Sequence, residues 1–218
     1  MSRRLVIFDL DGTILDTVGG LYTSVNKARI AMGLDPQPED QIISYIGRGA
    51  ANLMRQSLAC DGMGSEEDIN RMMSLFNSDY DENCIDYTSE FPGVREVLET
   101  LHSDRILLAV HSNKNDYPTQ KLIRHFFPDL FSFVLGRRLD IPRKPEPSGV
   151  LVCLGHLSVV REDAIYVGDS VVDIETASNA GSDSISVGWG YQSEDKLRQA
   201  GASVIVSSPE ELLQNLQK

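Results

Sequence analysis

Cysteine is scarce in this sequence and long apolar runs are missing. The three cysteines, Cys60, Cys84 and Cys153, lie far apart and form no C-x-x-C pair, which argues against a zinc site or a disulfide framework and for a reducing compartment. No apolar run approaches the roughly 20 residues that span a bilayer. The run that follows Arg3-Arg4 stops at Asp9, too short for a signal peptide. We therefore expect a cytoplasmic protein without a membrane span.

Positive charge is also in short supply. The 218 residues include 20 lysines and arginines against 32 acidic residues, a formal net charge of −12 with a pI near 4.7. Such a surface repels nucleic acid and anionic lipid, so we expect neither as a partner. An anionic substrate must then be attracted locally, by a metal ion or by a basic patch. The one clear basic cluster consists of Arg137, Arg138, Arg143 and Lys144.

What the sequence does contain is a regular alternation of strand and helix patterns. A short apolar block, Leu5 to Phe8, indicates a buried first strand. After residue 87, five more strand patterns alternate with helix patterns, which predicts a parallel sheet with right-handed crossovers. The segment between them shows amphipathic helices and no convincing strand. We predict a doubly wound, Rossmann-like α/β core, residues 1–15 and 88–218, with an all-helical domain, residues 16–87, inserted after the first strand.

Three of the predicted strands end in polar residues, in the stretches "VIFDLD", "AVHSN" and "YVGDSVVD". Ligands bind beyond the carboxyl ends of the strands in such a sheet, so these residues should meet. Carboxylates that meet need a cation, and oxygen ligands without His or Cys indicate Mg²⁺. Asp9 and Asp169 are the expected direct ligands, and Asp11, two residues on, points along the same face. Asp173, one helical turn after Asp169, is expected to hold either the surroundings of Asp169 or Lys144 in place from behind.

Each motif has an ordinary alternative when it is considered alone. "DLDGT" is compatible with a simple turn, and "GDSVVD" with a helix N-cap. Lys144 alone would be a surface lysine, and Ser112 alone a polar residue at the end of a strand. An EF-hand calcium loop does not fit, because Gly12 arrives too early and the required Glu does not follow. The occurrence of all the motifs together and in order favours a functional site.

The ordered set resembles the haloacid dehalogenase superfamily, specifically its phosphatases of the phosphoglycolate phosphatase-like type, over the whole chain. The resemblance depends on four motifs: Asp9-Leu10-Asp11-Gly12-Thr13, Ser112-Asn113-Lys114, Lys144-Pro145-Glu146-Pro147, and Gly168-Asp169 through Asp173. The helical segment 16–87 matches the inserted cap domain of this branch. "GWGY", residues 188–191, also recurs among such proteins.

The resemblance implies a Mg²⁺-dependent phosphatase that hydrolyses small phosphomonoesters such as 2-phosphoglycolate in two steps. Asp9 would attack phosphorus to form an aspartyl-phosphate. Asp11 would protonate the leaving alkoxide and then accept a proton from water, with its backbone carbonyl on the metal. Mg²⁺, Lys144 and Ser112 would stabilise charge on the transferring oxygens. The metal ligands implied are Asp9, Asp11 and Asp169, with Gly168 and Asp173 behind them.

The resemblance also assigns substrate binding to Thr13, Arg48 and Asn113. Arg48 lies in "YIGRGAA", whose counterpart in related proteins approaches the phosphate, and a guanidinium group suits a carboxylate or a second phosphate. A carboxylate would favour phosphoglycolate and a phosphate would favour inorganic pyrophosphate, whereas the ordinary alternative is a solvent-facing arginine in a glycine turn. His111 departs from the usual pattern before the motif serine. Strand alternation places it opposite Ser112, so we expect it to be packed.

Two further interpretations stay open at the level of sequence. A sugar phosphomutase shares the core, the cap and the aspartate pair but returns the phosphoryl group to a sugar. A Mg²⁺-binding switch that is phosphorylated on Asp9 would not be an enzyme, and such domains lack a large cap and an acid at the position of Asp11. The expected partner is a small phosphorylated metabolite, and the expected assembly is a monomer or a homodimer.

Overall fold

The computed structural model describes residues 3–217, and the chain divides into two compact units. The core unit is formed by the chain up to Asp16 and from Glu90 onwards, and the helical unit is Thr17–Ser89. The helical unit is therefore an insertion in the sequence of the core unit.

Eight strands are present in the described residues, six of them in one parallel sheet. They are β1 (Leu5–Phe8), β2 (Leu15–Asp16), β3 (Ser89–Glu90), β4 (Leu107–Asn115), β5 (Phe133–Arg137), β6 (Ala164–Gly168), β7 (Asp183–Val187) and β8 (Ile205–Val206). The large sheet has the order β5-β4-β1-β6-β7-β8, and β2 and β3 form a two-stranded sheet. The six strands of the large sheet are the predicted ones. β2 and β3 have two residues each, too few to show an alternation pattern.

Ten α-helices occur in the same residues. They are α1 (Val18–Ala31), α2 (Glu39–Ile43), α3 (Ala50–Ala59), α4 (Glu66–Asn83), α5 (Val94–Ser103), α6 (Asp116–Phe126), α7 (Ser148–Leu157), α8 (Val171–Ala180), α9 (Glu194–Gln199) and α10 (Pro209–Leu216). The first four belong to the helical unit. None of the helices in residues 3–217 has the length and the apolar stretch required to cross a membrane.

The register of the central strands brings the polar motifs to one edge of the sheet. Phe8 at the end of β1 is aligned with Val110 of β4 and with Val167 of β6, and all three strands are parallel. The chain builds β4 and β5 on one side of β1 and then crosses to β6 on the other side. Such a reversal opens a crevice at the carboxyl ends of the strands. Asp9 follows β1 and Asp169 follows β6 at this point.

The sheet is buried on both faces, which explains why its strands read as continuous apolar blocks. All four residues of β1 and all five of β6 are buried. On one face, Leu5, Ile7 and Tyr166 join Val150 and Cys153 of α7 in a single apolar cluster. Burial of each large side chain contributes about 1.5–3 kcal/mol, so the strands that deliver the polar motifs are firmly fixed.

In the helical unit, α1 packs against α4. The buried residues include Leu21 and Val25 of α1 and Phe76 and Tyr80 of α4, whose rings stack with centroids 5.1 Å apart. Arg29 of α1 is also buried, because its guanidinium donates to Ser57 O at 2.7 Å and pairs with Asp61 at 2.9 Å. A buried charge requires such partners.

Candidate active site

Three buried carboxylates lie close together at the carboxyl edge of the sheet, and two of them contact one buried ammonium group. Asp9, Asp169 and Asp173 each offer an oxygen atom, and these oxygens lie within 4.8 Å of one another. Lys144 Nζ lies 2.8 Å from Asp9 Oδ1 and 2.7 Å from Asp173 Oδ1. The structure therefore brings together Asp9, which follows β1, Lys144 from the loop before α7, Asp169 from the β6–α8 connection and Asp173 from α8.

The backbone of Lys144 is held by an amide clamp. Lys144 N donates to Asn113 Oδ1 at 2.9 Å, and Asn113 Nδ2 donates to Lys144 O at 3.2 Å. At the other end of the side chain, Nζ also donates to the Tyr166 hydroxyl at 3.3 Å, which itself donates to His111 O at 3.0 Å. Asn113 thus fixes Lys144 from β4, whereas its predicted contact with substrate stays a prediction.

Burial and like charge shift the pKa values of the cluster. Burial raises the pKa of Asp9 to about 7, with Lys144 opposing the shift and Asp173 adding to it. The pKa of Asp169 is raised well above its usual value by burial and by repulsion from Asp173 and Asp9. Burial alone lowers the pKa of Lys144, but Asp173 and Asp9 outweigh it and raise that pKa well above the usual range. Lys144 therefore stays protonated at neutral pH, and the three carboxylates outnumber it.

The charge of this cluster fits a divalent cation. Three carboxylates and one ammonium group leave a formal charge of −2 in a buried site. Buried charge of one sign is unstable unless a counter-charge compensates it. An all-oxygen donor set of this kind suits Mg²⁺. The ligand set predicted from sequence, Asp9, Asp11 and Asp169, shares Asp9 and Asp169 with the cluster.

Asp173 belongs to the cluster but is already saturated by neighbours. Its Oδ1 pairs with Lys144, and its Oδ2 accepts from the Ser170 backbone N–H at 3.1 Å and from the Ser170 hydroxyl at 2.5 Å. A side chain on Gly168 would collide with Asp173, so this glycine provides the space that Asp173 occupies. These contacts hold Asp173 against Ser170 and Lys144, whereas its predicted support of a metal ligand stays a prediction.

Asp169 is held from both sides by loops. Tyr191 N donates to Asp169 Oδ2 at 2.8 Å, and the Thr13 hydroxyl donates to Oδ1 at 3.4 Å. Gly12 adopts φ +81°, and a side chain there would strike Asp169 and the Tyr191 ring. Because a non-glycine residue is strained at this φ and the space is filled, the turn after β1 requires glycine. The predicted substrate ligand Thr13 is buried and faces Asp169.

The segment Gly188–Tyr191, which "GWGY" marks in the sequence, covers this turn. Trp189 Nε1 donates to the Thr13 carbonyl at 3.1 Å, and the Tyr191 hydroxyl donates to Asp16 Oδ1 at 3.1 Å. A side chain on Gly190 would overlap Asp169. The sequence resemblance identified this segment through the recurrence of "GWGY" among similar proteins but assigned it no role. Its contacts show that it supports the turn after β1.

Asp11 has a lysine partner that the sequence reasoning did not assign. Lys114 Nζ lies 2.8 Å from Asp11 Oδ1, and the side chains are 5% and 13% exposed. The signal was available, because Lys114 lies two residues after Ser112 on a strand and so shares its face. The expectation that Asp11 offers its backbone carbonyl to a metal stays a prediction.

Ser112 and His111 occupy adjacent positions on β4 and are both buried. The Ser112 hydroxyl accepts from Lys114 N at 3.2 Å. The His111 ring packs edge-on against Tyr166, with centroids 6.1 Å apart, and contacts Gly149 so closely that a side chain there would not fit. Burial, with a smaller contribution from Lys144, lowers the pKa of His111 to about 3. His111 is therefore a neutral, packed residue.

Arg48 lies in the helical unit, in the turn between α2 and α3, and is exposed. Of the basic cluster seen in the sequence, Lys144 is buried, whereas Arg143 is exposed and Arg138 pairs with Asp140 at 2.9 Å. The one buried cation of this cluster is thus the one that meets the carboxylates.

Comparison with known proteins gives consistent matches over the chain. The model of the family described as haloacid dehalogenase-like hydrolase matches residues 6–187. Phosphoglycolate phosphatases from Nitrosospira multiformis and Chromobacterium violaceum are each 32% identical to it, over 99% and 96% of this chain and 96% and 94% of theirs. The crystal structure of a candidate phosphoglycolate phosphatase from Lactobacillus delbrueckii subsp. bulgaricus aligns with a TM-score of 0.94 at 32% identity, covering 100% of this chain and 99% of that one.

The chain belongs to the haloacid dehalogenase-like hydrolase family. Within that family it is a phosphatase, a phosphoric monoester hydrolase. The family resemblance inferred from the motifs is confirmed, and so is the α/β fold class inferred from the alternation of strands and helices.

Proposed function

We propose that this phosphatase is Mg²⁺-dependent and hydrolyses small phosphomonoesters of the 2-phosphoglycolate type through an aspartyl-phosphate. The buried arrangement of Asp9, Lys144 and Asp169 at the carboxyl edge of the sheet is the observation that carries the proposal. The names of the relatives support the choice of substrate, since those relatives are phosphoglycolate phosphatases.

Asp9 and Asp169 would hold the metal through their carboxylates, with the backbone carbonyl of Asp11, while Gly168 and Asp173 support them from behind. When bound, Mg²⁺ neutralises the phosphate oxygens and so lets an anionic nucleophile approach an anionic ester. The formal charge of −2 in the buried cluster favours this cation.

Asp9 is the proposed nucleophile. Its carboxylate oxygen forms a bond to phosphorus, and the bond between phosphorus and the ester oxygen breaks with its electron pair on that oxygen. The ester oxygen takes a proton from Asp11 and leaves as an alcohol. In the second step, the oxygen of water forms a bond to phosphorus and its proton passes to Asp11. The bond between phosphorus and the Asp9 oxygen breaks, and its electron pair returns to the Asp9 carboxylate. The sum is one ester and one water consumed for one alcohol and one phosphate.

Lys144 and Ser112 would stabilise the phosphoryl oxygens during both steps. The ammonium group of Lys144 is fixed beside Asp9 by Asn113 and Asp173. Because its position is set before substrate arrives, little reorganisation is needed as charge develops on phosphorus-bound oxygens. Ser112 lies in the neighbouring strand β4 and would add a hydroxyl donor.

Residues 16–87 would act as a cap domain that selects the substrate, with Arg48 binding its second anionic group. Thr13 and Asn113 would bind substrate from the core unit, in addition to the contacts that they make with Asp169 and Lys144. A carboxylate bound by Arg48 would correspond to phosphoglycolate. The cytoplasm is the proposed location, in agreement with the free state of Cys60, Cys84 and Cys153.

The testing experiment is a phosphate-release screen over small phosphomonoesters and pyrophosphate, with and without Mg²⁺. We expect Mg²⁺-dependent release, strongest for a two-carbon phosphorylated acid, and a loss of at least about 1,000-fold in Asp9→Asn, as is typical when a nucleophile is removed. Asp195→Asn, an exposed aspartate of α9, is the matched control. Equal rates for Asp9→Asn and the control would refute the nucleophile, and isomerisation of a sugar phosphate without phosphate release would indicate a mutase.

The same screen tests Arg48 if esters with and without a second anion are compared. Arg48→Ala should lower kcat/KM by about tenfold or more for the doubly anionic esters alone, because a guanidinium–carboxylate contact contributes roughly 1.5–3 kcal/mol. Arg71→Ala, an exposed arginine of α4, should leave both classes unchanged. A uniform loss in Arg48→Ala would contradict a role in selecting the second anion.

A further inference from the structure

Lys114 directs a buried ammonium group at the carboxylate of Asp11. The two Asp11 oxygens lie 2.8 and 3.1 Å from Lys114 Nζ. Both are hydrogen-bonding distances, so the ammonium group lies across the carboxylate rather than at one oxygen. The residues are 103 positions apart in the sequence, and the fold brings them together.

Both ends of this pair are attached to ordered backbone. Lys114 N donates to the Ser112 hydroxyl, which fixes the lysine at the end of β4. Asp11 forms a bridge with Leu15, and the next residue, Gly12, donates to Leu15 O at 2.9 Å. A side chain whose two ends are restrained loses little further freedom when it acts. The pair is therefore built to keep one geometry.

Each acid of the first motif has its own lysine. Lys144 lies against Asp9, and Lys114 lies against Asp11. The cluster of close carboxylate oxygens contains Asp9, Asp169 and Asp173, whereas the carboxylate of Asp11 lies outside it. Lys144 thus pairs with the acid inside the charged cluster, and Lys114 pairs with the neighbouring acid outside it.

We propose that Lys114 is the positioning residue for proton transfer by Asp11. It holds the Asp11 carboxyl group at one place, outside the Asp9–Asp169–Asp173 cluster, from which the group gives a proton to the leaving oxygen and later takes one from water. The inference rests on the proposed function, which makes Asp11 the proton carrier. Lys114 itself forms and breaks no bond in either step.

The test compares esters whose leaving groups differ in basicity. An alkoxide needs a proton to leave, whereas p-nitrophenolate leaves without one, so a defect in proton delivery affects alkyl esters more. We expect Lys114→Met to lower kcat/KM for an alkyl phosphate at least about tenfold more than for p-nitrophenyl phosphate. Lys114→Arg, which keeps the charge, should recover part of the loss on the alkyl ester.

A double-mutant cycle with Asp11→Asn completes the test. If Lys114 acts through Asp11, the double variant is no slower on the alkyl ester than Asp11→Asn alone. Lys196→Met, an exposed lysine of α9, should leave both substrates unaffected. If Lys114→Met does not fold, as judged by its thermal unfolding, Lys114→Gln takes its place in the cycle.

The outcomes separate this inference from the proposed function. The role of Lys114 would be overturned by equal losses on both esters in Lys114→Met, or by losses that add to those of Asp11→Asn. If Asp11→Asn still shows a selective loss on the alkyl ester, the assignment of Asp11 as the proton carrier stands. An unselective Asp11→Asn would instead overturn the assignment of Asp11 in the proposed function, and the role of Lys114 with it.

Discussion

At the scale of single residues, the site combines groups whose burial is costly unless each has a partner. Lys144 is buried between Asp9 and Asp173, and Lys114 is buried beside Asp11. Removal of one member of a buried ion pair typically costs about 3–5 kcal/mol. The same contacts that prepare the site for chemistry therefore also restrict which substitutions the fold accepts.

His111 gives a prediction on stability as a function of pH. Its pKa is about 3 in the folded protein because of burial, against the usual 6.5 in an unfolded chain. Below pH 6.5 the unfolded chain binds a proton that the folded protein does not, so stability falls by up to about 1.4 kcal/mol per pH unit until about pH 3. His111→Leu should remove this contribution, and its free energy of unfolding in urea should fall less steeply between pH 7 and pH 4.

The control for this prediction is His102→Leu, which changes an exposed histidine of α5. Asp9, Lys144 and the other titrating groups near the ring are present in wild type and in His111→Leu alike. Their contributions to the pH dependence therefore cancel when these two proteins are compared. Parallel stability curves for wild type and His111→Leu would show that the buried ring is not the source of the acid sensitivity.

The sequence motifs indicate single residues of the candidate site more readily than the contacts between them. Asp9 and Asp169 are indicated by the acids that follow two strands, and Lys144 is indicated by its place in an ordered motif. The pairing of Lys114 with Asp11 joins residues 103 positions apart, and it depends on which lysine the register of β4 turns towards β1. Local patterns do not specify that choice, although alternation along the strand makes Lys114 a candidate.

At the scale of elements, the connections after β1, β6 and β7 matter as much as the strands themselves. The segment Gly188–Tyr191 follows β7, supports Thr13 with Trp189 and holds Asp169 through Tyr191 N. The strands of the large sheet were predicted because burial on both faces leaves short, continuous apolar blocks. The short α9, whose one buried residue is Leu197, has too little apolar periodicity to be predicted.

Gly190 provides the test of this segment. A methyl group there would overlap the Asp169 side chain and lie 2.5 Å from the Gly12 carbonyl oxygen. Gly190→Ala must therefore displace Asp169 or the turn after β1. We expect a loss of at least about tenfold in kcat/KM, since small displacements in a site are costly, and a higher Mg²⁺ concentration at half-maximal rate.

Gly155→Ala is the matched control, because this glycine of α7 has open space around it. The control should keep full activity and gain up to about 1 kcal/mol in stability from better helix propensity. Full activity in Gly190→Ala would show that the segment tolerates displacement and does not position Asp169.

At the scale of the whole molecule, the buried acids that the proposed chemistry requires lower the stability of the folded protein. The buried cluster has a formal charge of −2, and the pKa values of Asp9 and Asp169 are raised because burial and repulsion disfavour their ionised forms. In the absence of a cation, these acids reduce the stability of the core unit. Binding of Mg²⁺ to the folded chain should reverse that effect.

Asp169→Asn separates the two contributions. Without metal, the variant should be more stable than wild type, because an acid whose ionised form is disfavoured by burial and by repulsion from Asp173 and Asp9 is replaced by a neutral amide. With Mg²⁺ at 100 times its Kd, wild type should gain about 2.7 kcal/mol, or roughly 5–10 °C in Tm, and the variant much less. Calorimetry with Mg²⁺ and with a chelator measures both effects.

The exposed Asp195→Asn should respond to Mg²⁺ as wild type does. An equal Mg²⁺ shift in wild type and Asp169→Asn would place the stabilising cation elsewhere on this acidic chain. A variant less stable than wild type in the chelator would show that repulsion in the cluster is smaller than the hydrogen bonds that Asp169 accepts.

The position of Trp189 gives the protein a built-in optical reporter. It is the single tryptophan of the sequence, and its indole donates to the Thr13 carbonyl, four residues after Asp9. Indole emission changes with local polarity and hydrogen bonding, so all tryptophan fluorescence of this chain originates beside the turn that follows the proposed nucleophile. Occupancy of the site by a cation or by a phosphate mimic can then be followed at equilibrium, on the unlabelled protein and without turnover.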